Sequence, residues 1–201
     1  MKLYYKAGAC SLSAHIALRE AGLAFELEQV DLKTKMTESG SDFTKINSKG
    51  YVPALVLDNG RVLTEGAAIV QYIADQSPHV GLAPAAGTEA RYVLQEWLSF
   101  IATELHKPFG SMFNPAQGVD WRAAVSALLS KRLDWLTEQL GESEYLCDGR
   151  FSVADGYLFT VLGWADLVGF SLDPWPSLQA YRRRIGSRPQ VIEALKAEGL
   201  I

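Results

Sequence analysis

The sequence has few cysteines, no long apolar run and no excess of positive charge. Only two cysteines, Cys10 and Cys147, occur among its 201 residues, which excludes the disulfide framework of a small secreted domain and suits a reducing compartment. No stretch approaches the roughly 18 consecutive apolar residues that a membrane-spanning helix needs. The net charge of -4, from 19 basic and 23 acidic residues, argues against nucleic acid or an anionic membrane as the main partner.

The amino terminus does not follow the pattern of a secretion signal. It superficially resembles a lipoprotein signal that ends at Cys10, but its apolar stretch runs only from Leu3 to Tyr5 and is interrupted by Lys6. The apolar region of a signal peptide has about 7–15 residues, so we expect a cytoplasmic protein. The chain has 48% hydrophobic and 21% charged residues, which excludes wholesale disorder, a coiled-coil rod and a collagen-like repeat.

Short strand-like and helix-like segments alternate in the first part of the chain and predict the order β-α-β-(α)-β-β-α. The pair Asn59-Gly60 lies between two β-prone runs, which is a strong signal for a hairpin. Thr64 is the predicted N-cap of the helix after this hairpin. The predicted strands are 2–5, 25–30, 52–57 and 62–63, the predicted helices are 11–22 and 65–75, and a loop with a short helix is predicted at 33–48.

Strand signals largely end where a linker is predicted, at 78–87, a stretch with two prolines, two glycines and little periodicity. Beyond it, apolar residues recur at helical intervals, as in Leu94, Leu98 and Leu105. We therefore predict a first domain at 1–77 and an all-helical domain at 88–201. The predicted helices of the second domain are 88–112, 120–140, 152–169, 175–186 and 188–198.

Cys10 is the sharpest chemical feature of the sequence. It follows a predicted strand and precedes a predicted helix, where unpaired N–H groups and the helix dipole favour thiolate over thiol. Position alone does not separate this interpretation from that of a small buried hydrophobic residue. Cys10 and Ser13 have the spacing of a Cys-x-x-Cys redox motif, but the serine leaves only monothiol chemistry, such as a mixed disulfide with a small thiol.

Two further motifs suit a ligand with amino-acid character. Proline at a strand entrance has no N–H for the ladder, and a cis bond before Pro53 would turn Val52 outward and expose its N–H and C=O. Glu65 could hold an ammonium group, and Gly66 lets a ligand approach helix amides that suit a carboxylate. An ordinary capped helix with an acidic first turn is the alternative at Glu65.

Two motifs lie in the predicted helical domain. His106-Lys107 ends an apolar helical run and is either a donor and positive charge near an anionic ligand or a solvated helix terminus. Ser152 and Asp155 have the spacing of a capping box, with aspartate in place of glutamate, which we interpret as a stabilising feature rather than a catalytic one.

Together these motifs resemble the glutathione transferases, specifically the bacterial beta class, over essentially the whole chain. The resemblance implies an α+β thioredoxin-like N-terminal domain and an all-α C-terminal domain, a homodimer, and glutathione bound between the domains with an electrophile site beside it. It implies no metal. The strings that carry the resemblance are Ala9-Cys10-Ser11-Leu12-Ser13, Gly50-Tyr51-Val52-Pro53-Ala54-Leu55, Leu63-Thr64-Glu65-Gly66-Ala67-Ala68-Ile69, Glu104-Leu105-His106-Lys107 and Phe151-Ser152-Val153-Ala154-Asp155.

In the first domain, the resemblance places Cys10 opposite the glutathione sulfur and Lys35 at the glycyl end. The Val52 backbone pairs with the cysteinyl part, before a cis Pro53. Position 65 and position 66 form the clamp for the γ-glutamyl group. Many members have a serine where this chain has Gly66, so one hydrogen bond of about 1 kcal/mol is absent. The glutathione-binding positions that the resemblance implies are Cys10, Lys35, Val52, Pro53, Glu65, Gly66, Ser99, Thr103, Glu104, His106 and Lys107.

In the helical domain, the resemblance places His106 and Lys107 near the thiol, with Cys10 and His106 as the catalytic residues. Ser99, Thr103 and Glu104 contribute contacts from one or the other subunit, although many beta-class members have asparagine at position 99. The implied reaction is conjugation of glutathione to apolar electrophiles in detoxification. The candidate wall of the electrophile site is Phe109, Phe113, Tyr157 and Trp164.

Two alternatives to conjugation remain at this stage. The first keeps glutathione and uses Cys10 for thiol–disulfide exchange or reductive dehalogenation. The second is a non-catalytic protein that binds hydrophobic ligands. Cys10, Glu65 and His106 are all present, which favours an enzyme.

Overall fold

The computed structural model describes residues 1–147 and 149–201 and divides into two compact units. The first unit consists of Met1–Ala83 and Arg188–Ile201, and the helical unit consists of Pro84–Ser187. The boundary after Ala83 lies inside the predicted linker 78–87. The predicted helical domain differs from the helical unit at its end, because the last helix belongs to the first unit.

This last helix, α9 (Pro189–Ala197), packs against α1 (Ser11–Glu20). The Glu198 carboxylate that follows α9 accepts a hydrogen bond of 2.9 Å from the Gly8 backbone N–H and shares another of 2.9 Å with Nδ1 of the buried His15. Periodicity in a sequence identifies such a helix but not its packing partner. For this reason the prediction grouped it with the other helices.

The strands of the first unit are β1 (Lys2–Tyr5), β2 (Glu26–Asp31), β3 (Met36–Thr37), β4 (Ala54–Val56) and β5 (Val62–Thr64). They form a mixed sheet in the order β3-β2-β1-β4-β5, in which β1 and β2 are parallel and the other neighbours are antiparallel. α1 connects the parallel pair, as a βαβ crossover requires. The short β3 was not predicted, because two residues are too few for an alternating pattern. The helix α2 (Gly66–Gln76) follows β5.

Alternation along the strands creates the two faces of the sheet. Leu3 and Leu55 are paired across β1 and β4 and are fully buried, while the neighbouring pair Tyr4 and Ala54 joins a second buried cluster with Phe43. The predicted hairpin at Asn59-Gly60 is present. The Leu57 N–H donates to the Arg61 carbonyl at 2.9 Å, and Gly60 has φ +81°.

The helical unit agrees with the predicted helices except at two interruptions. The predicted helix 88–112 contains a π-helical segment, Ile101–His106, and the predicted helix 152–169 divides at Gly163. No helix in the described part of the chain is long and apolar enough to cross a membrane. The helices are α3 (Glu89–Phe100), α4 (Lys107–Ser111), α5 (Val119–Leu140), α6 (Val153–Leu162), α7 (Trp164–Leu167) and α8 (Pro176–Gly186).

The π-helical segment coincides with hydroxyl groups that compete for backbone carbonyls. Ser99 Oγ donates to the Gln95 carbonyl at 2.8 Å, and Thr103 Oγ donates to the Ser99 carbonyl at 3.0 Å. Bonds of this kind bend helices and weaken the regular ladder. π-helical turns are frequent at functional sites, and this one carries several of the residues that the resemblance assigns to glutathione.

The predicted capping box at the start of α6 is present. Asp155 is fully buried, and one carboxylate oxygen accepts bonds from the Ser152 N–H at 2.7 Å and the Ser152 hydroxyl at 2.8 Å. The other oxygen accepts bonds from the Leu146 N–H at 2.9 Å and the Tyr181 hydroxyl at 2.7 Å. Asp155 therefore joins α6, α8 and the chain before α6 through one side chain.

Candidate functional site

Cys10 ends the loop before α1 and is half-buried. Its Sγ donates a hydrogen bond to the Val52 carbonyl at 3.2 Å, and its side chain does not cap the helix. A thiol that donates to a carbonyl is held in its protonated form, whereas the positive end of α1 favours the thiolate. The structure thus places Cys10 next to Val52, with the cysteine as a hydrogen-bond donor.

Ser11 and Ser13, which follow Cys10, are buried and hold the loop through hydrogen bonds to its backbone. Ser11 is fully buried, and its hydroxyl accepts from the Lys6 N–H at 3.1 Å and donates to the Lys6 carbonyl at 3.2 Å. Ser13 Oγ donates to the Cys10 carbonyl at 2.7 Å. The residue that replaces the second cysteine of a redox motif therefore fixes the backbone of the first.

The peptide bond between Val52 and Pro53 is cis. The loop before it, 47–51, is fastened at both ends by the buried Asn47, whose amide donates to the Tyr51 carbonyl at 2.7 Å and whose side-chain oxygen accepts from the Lys49 N–H at 3.2 Å. These hydrogen bonds hold the segment that presents the Val52 backbone.

Lys35 reaches the same loop from the other side. Its ammonium group donates to the Gly50 carbonyl at 2.7 Å. Its own backbone has φ +62°, an uncommon conformation for a residue with a side chain. The resemblance assigns Lys35 to the glycyl end of glutathione, and the structure places its charged group beside the loop that leads to Val52.

Glu65, not Thr64, is the N-cap of α2, so the predicted cap was wrong by one residue. Thr64 is the last residue of β5, and its hydroxyl accepts from the Lys49 ammonium at 3.0 Å. Glu65 has φ +72°, and it makes no side-chain cap. Sparsely populated backbone conformations of this kind occur at ligand clamps and cost about 1–3 kcal/mol.

Gly66 is the first residue of α2. A Cβ at this position would meet no atom within 4 Å, so packing leaves room for a serine side chain. Glu65 and the amino-terminal turn of α2 thus place a carboxylate next to the positive end of a helix dipole. This arrangement suits a ligand that carries an ammonium and a carboxylate group.

Two residues that the sequence analysis did not assign to the site bind the Glu65 carboxylate. The Tyr51 hydroxyl donates to Glu65 Oε1 at 2.9 Å, and the Lys49 ammonium also donates to Oε1. The hydrogen bond to Glu65 is the main reason why the pKa of both Lys49 and Tyr51 is raised. The loop 47–51 therefore connects the candidate positions Lys35, Val52 and Glu65.

In the helical unit, the candidate polar residues lie at the end of α3, in the π-helical segment and at the start of α4. Glu104 Oε2 accepts a hydrogen bond from Arg132 Nε at 2.6 Å. Nδ1 of His106 shares a hydrogen bond of 2.5 Å with the Tyr157 hydroxyl. Ser99 and Thr103 are exposed, with hydroxyls that bind backbone carbonyls, and Lys107 is the exposed first residue of α4.

Aromatic rings extend from His106 in a continuous series. Its ring is 4.9 Å from that of Trp164 and 5.7 Å from that of Tyr157, and Trp164 in turn lies 5.7 Å from the half-exposed Phe113. Phe109 differs from the prediction, because it is fully buried and packs edge-on against Phe170. A fully buried side chain has no surface for a ligand, so Phe109 is a core residue. Tyr157 and Trp164 are also buried, which leaves Phe113 as the candidate wall residue with a half-exposed ring.

Comparison with known proteins agrees with this geometry. Residues 7–76 match the family described as Glutathione S-transferase, N-terminal domain, and residues 119–184 match Glutathione S-transferase, C-terminal domain. The chain is 48% identical over 200 residues to glutathione S-transferase GstA of Escherichia coli O157:H7, with 100% of both chains covered.

Solved structures are similar over the same length. The bacterial GST BphK, in a ternary complex, is 58% identical with a TM-score of 0.97, and the match covers 99% of this chain and 100% of BphK. Two sphingomonad glutathione S-transferases are each 48% identical with a TM-score of 0.96 and complete coverage of both chains. One of them is complexed with glutathione, and the other, from Sphingomonas chungbukensis, is described as bacterial beta class.

A thioredoxin-like unit with a mixed sheet and an all-helical unit is the fold of these enzymes. The chain belongs to the glutathione S-transferase family, in its bacterial beta class.

Proposed function

We propose that this protein conjugates glutathione, through its sulfur, to the electrophilic carbon of an apolar substrate. The glutathione thiol releases its proton to water, the thiolate attacks the carbon to form a C–S bond, and the leaving group departs with the electron pair of the broken bond. The observation that carries the proposal is the set of Cys10, the cis Val52-Pro53 bond and Glu65 in one unit. The relatives do not favour the alternatives of disulfide exchange, dehalogenation or a non-catalytic role.

The first unit supplies the groups that we propose bind glutathione. The Glu65 carboxylate pairs with the α-ammonium group, and the first turn of α2, beginning at Gly66, receives the α-carboxylate. The Val52 N–H and C=O pair with the cysteinyl backbone, and Lys35 pairs with the glycyl carboxylate. A sphingomonad relative complexed with glutathione supports the choice of ligand.

Cys10 and the dipole of α1 are the proposed means of stabilising the thiolate. A hydrogen bond and a positive potential near the sulfur lower the cost of its negative charge, and holding both reactants together removes much of the entropic cost of their encounter. The resemblance adds His106 and Lys107 as proposed contacts of glutathione, with His106 catalytic, and Ser99, Thr103 and Glu104 as contacts from one or the other subunit.

The electrophile is proposed to bind on the aromatic series of the helical unit. Phe113 has 48% of its surface exposed, and it is adjacent to Trp164, which contacts His106. Tyr157 is buried and fixes His106 by a hydrogen bond, so its proposed role is chiefly to position the imidazole. A half-exposed aromatic ring beside a polar group is typical of an apolar ligand site.

Replacing Glu65 with alanine tests the proposed ligand most directly. We expect glutathione binding to weaken by about 2 kcal/mol, or roughly 30-fold, because a charge-assisted bond to the α-ammonium group is lost. Isothermal titration with glutathione measures this change. The matched control is Glu38→Ala, an exposed acidic residue of the first unit, which should bind like wild type. A Glu65→Ala protein that binds as tightly as wild type would reject the assigned role.

We also propose a homodimer that joins the first unit of one protomer to the helical unit of its partner. Exposed apolar residues on α3 support this proposal, since Tyr92 and Val93 are 63% and 41% exposed. Light scattering at micromolar concentration should give twice the mass of 22.1 kDa. A monomer mass under these conditions would contradict it.

We also propose a cytoplasmic location. The 201 residues include only two cysteines, Cys10 and Cys147, which suits a reducing compartment.

A further inference from the structure

We propose that Lys49 and Tyr51 are positioning residues that hold the Glu65 carboxylate in the orientation that receives the α-ammonium group of glutathione. This inference rests on the proposed function and deepens it, because it assigns two residues to the recognition of the γ-glutamyl end. Neither residue belongs to the positions that the family resemblance implies. Both act through Glu65 rather than through the reacting sulfur.

Two donors, Lys49 and Tyr51, converge on one oxygen of the Glu65 carboxylate. Glu65 Oε1 accepts from the Tyr51 hydroxyl at 2.9 Å and from the Lys49 ammonium, and the same ammonium donates to Thr64 Oγ1 at 3.0 Å. The Lys49 ammonium also lies 5.7 Å from the centre of the Tyr51 ring. The two donors thus support each other as well as the carboxylate.

The Glu65 carboxylate needs fixed hydrogen-bond partners to keep a single orientation. Its side chain is 58% exposed, and its backbone is held at φ +72° at the start of α2. An exposed glutamate without fixed partners populates several rotamers, and freezing them on binding costs free energy that the ligand must supply. Hydrogen bonds that fix one rotamer before the ligand arrives remove part of this cost.

The two donors, Lys49 and Tyr51, lie on a loop that is itself held by hydrogen bonds. Asn47 ties the backbone of Lys49 and Tyr51 to the loop by bonds of 3.2 and 2.7 Å, and Lys35 binds the Gly50 carbonyl between them at 2.7 Å. An isolated ion pair on a surface contributes little, because two long side chains must be ordered to form it. Here the hydrogen bonds of the loop already supply part of that ordering. The Tyr51 side chain, with its rigid ring, loses little conformational entropy when it is fixed.

Because Lys49 is positively charged, its removal could strengthen or weaken glutathione binding, and the direction of the change tests the proposal. Its ammonium could repel the ammonium of the ligand, but an ionised carboxylate has about four acceptor sites and can serve several donors at once. Positioning therefore predicts that removing Lys49 weakens glutathione binding, whereas competition for Glu65 predicts that it strengthens binding.

The experiment is isothermal titration of glutathione into the full-length protein and its Tyr51→Phe, Lys49→Met and Lys49→Arg variants. Tyr51→Phe removes one hydroxyl and keeps the ring, and Lys49→Met removes the charge and keeps the length. We expect each of these two changes to weaken binding by about two- to tenfold, with Lys49→Arg close to wild type. At saturating glutathione, kcat should stay unchanged, so that the effect falls on KM for glutathione.

A second ligand separates positioning from a general structural defect. Glutathione without its α-amino group cannot pair with Glu65, so the variants should bind this analogue as wild type does. In the Glu65→Ala background, which removes the acceptor of both donors, Lys49→Met should have no further effect on glutathione binding. Lys45→Met, which removes another exposed lysine of the first unit, is the control for the change in net charge.

The outcomes distinguish the inference from the proposed function. If wild type does not bind glutathione, the proposed function itself fails. If wild type binds glutathione but Lys49→Met and Tyr51→Phe bind equally well or more tightly, only the positioning role is overturned. Equal losses for glutathione and its deamino analogue would also overturn it, because the effect would not pass through the α-ammonium group.

Discussion

Replacing Asp155 with alanine is expected to lower the free energy of unfolding by about 3–5 kcal/mol. The fully buried carboxylate accepts bonds from the Ser152 N–H and hydroxyl, the Leu146 N–H and the Tyr181 hydroxyl. Alanine leaves these donors without their acceptor in a fully buried site. Urea denaturation followed by circular dichroism measures the change.

Accepting hydrogen bonds, rather than carrying charge, is the source of this stabilisation. Burial raises the pKa of Asp155, while hydrogen bonds from Tyr181, Leu146 and Ser152 act in the opposite direction. A raised pKa in the folded state means that folding disfavours the ionised form. The contribution of this group therefore falls, rather than grows, as the pH rises between its unfolded and its folded pKa.

Two further variants test this explanation. Asp155→Asn keeps the size of the side chain but turns an NH2 group toward donors, so it should also destabilise the protein. Asp120→Ala removes an exposed acidic residue from the first turn of α5 and should cost about 0.3–1 kcal/mol. If Asp155→Ala costs no more than this control, the carboxylate is not the junction that its hydrogen bonds indicate.

The helices could be predicted closely because apolar residues recur at helical intervals in their sequences. The prediction 120–140 compares with the observed Val119–Leu140, and 175–186 compares with Pro176–Gly186. The π-helical segment inside the predicted helix 88–112 could not be predicted in this way, because its buried residues Ile101 and Leu105 lie four positions apart, as in an α-helix. The packing of α9 on α1 depends on tertiary contacts between residues far apart in the chain.

The site could be predicted where one residue type carries the chemistry. Local reasoning about thiolates, prolines and dipoles identifies Cys10 before a helix, Pro53 before a strand and Glu65 at a helix start as candidates, and the family resemblance assigns their roles. Lys49 and Tyr51 were not assigned, because their role depends on the three-dimensional path of the loop that brings them to Glu65. Phe109 was a candidate for the electrophile wall, but the sequence does not distinguish an aromatic residue of the helical core from one that faces a ligand.

Replacing Cys10 with serine should retain conjugation within about tenfold of wild type and abolish thiol–disulfide exchange. Cys10 donates to the Val52 carbonyl at 3.2 Å, and we propose that the cysteinyl N–H of glutathione takes over this acceptor. The Cys10 S–H is then released to donate to the glutathione thiolate. A serine hydroxyl can make the same bond, but it cannot form the mixed disulfide through which exchange proceeds.

Comparing this variant with Cys10→Ala decides between the two roles of the sulfur. If Cys10 is a donor, alanine should lower kcat/KM for an aryl halide by about ten- to a hundredfold, as for a lost hydrogen bond to a charged group. If Cys10 is the nucleophile, serine and alanine should both abolish conjugation and disulfide exchange. Activity of both kinds in the serine variant would show that Cys10 has no catalytic role. Ser11 could not replace it, because its buried hydroxyl is bound to the Lys6 backbone, and His106 would then be the remaining candidate.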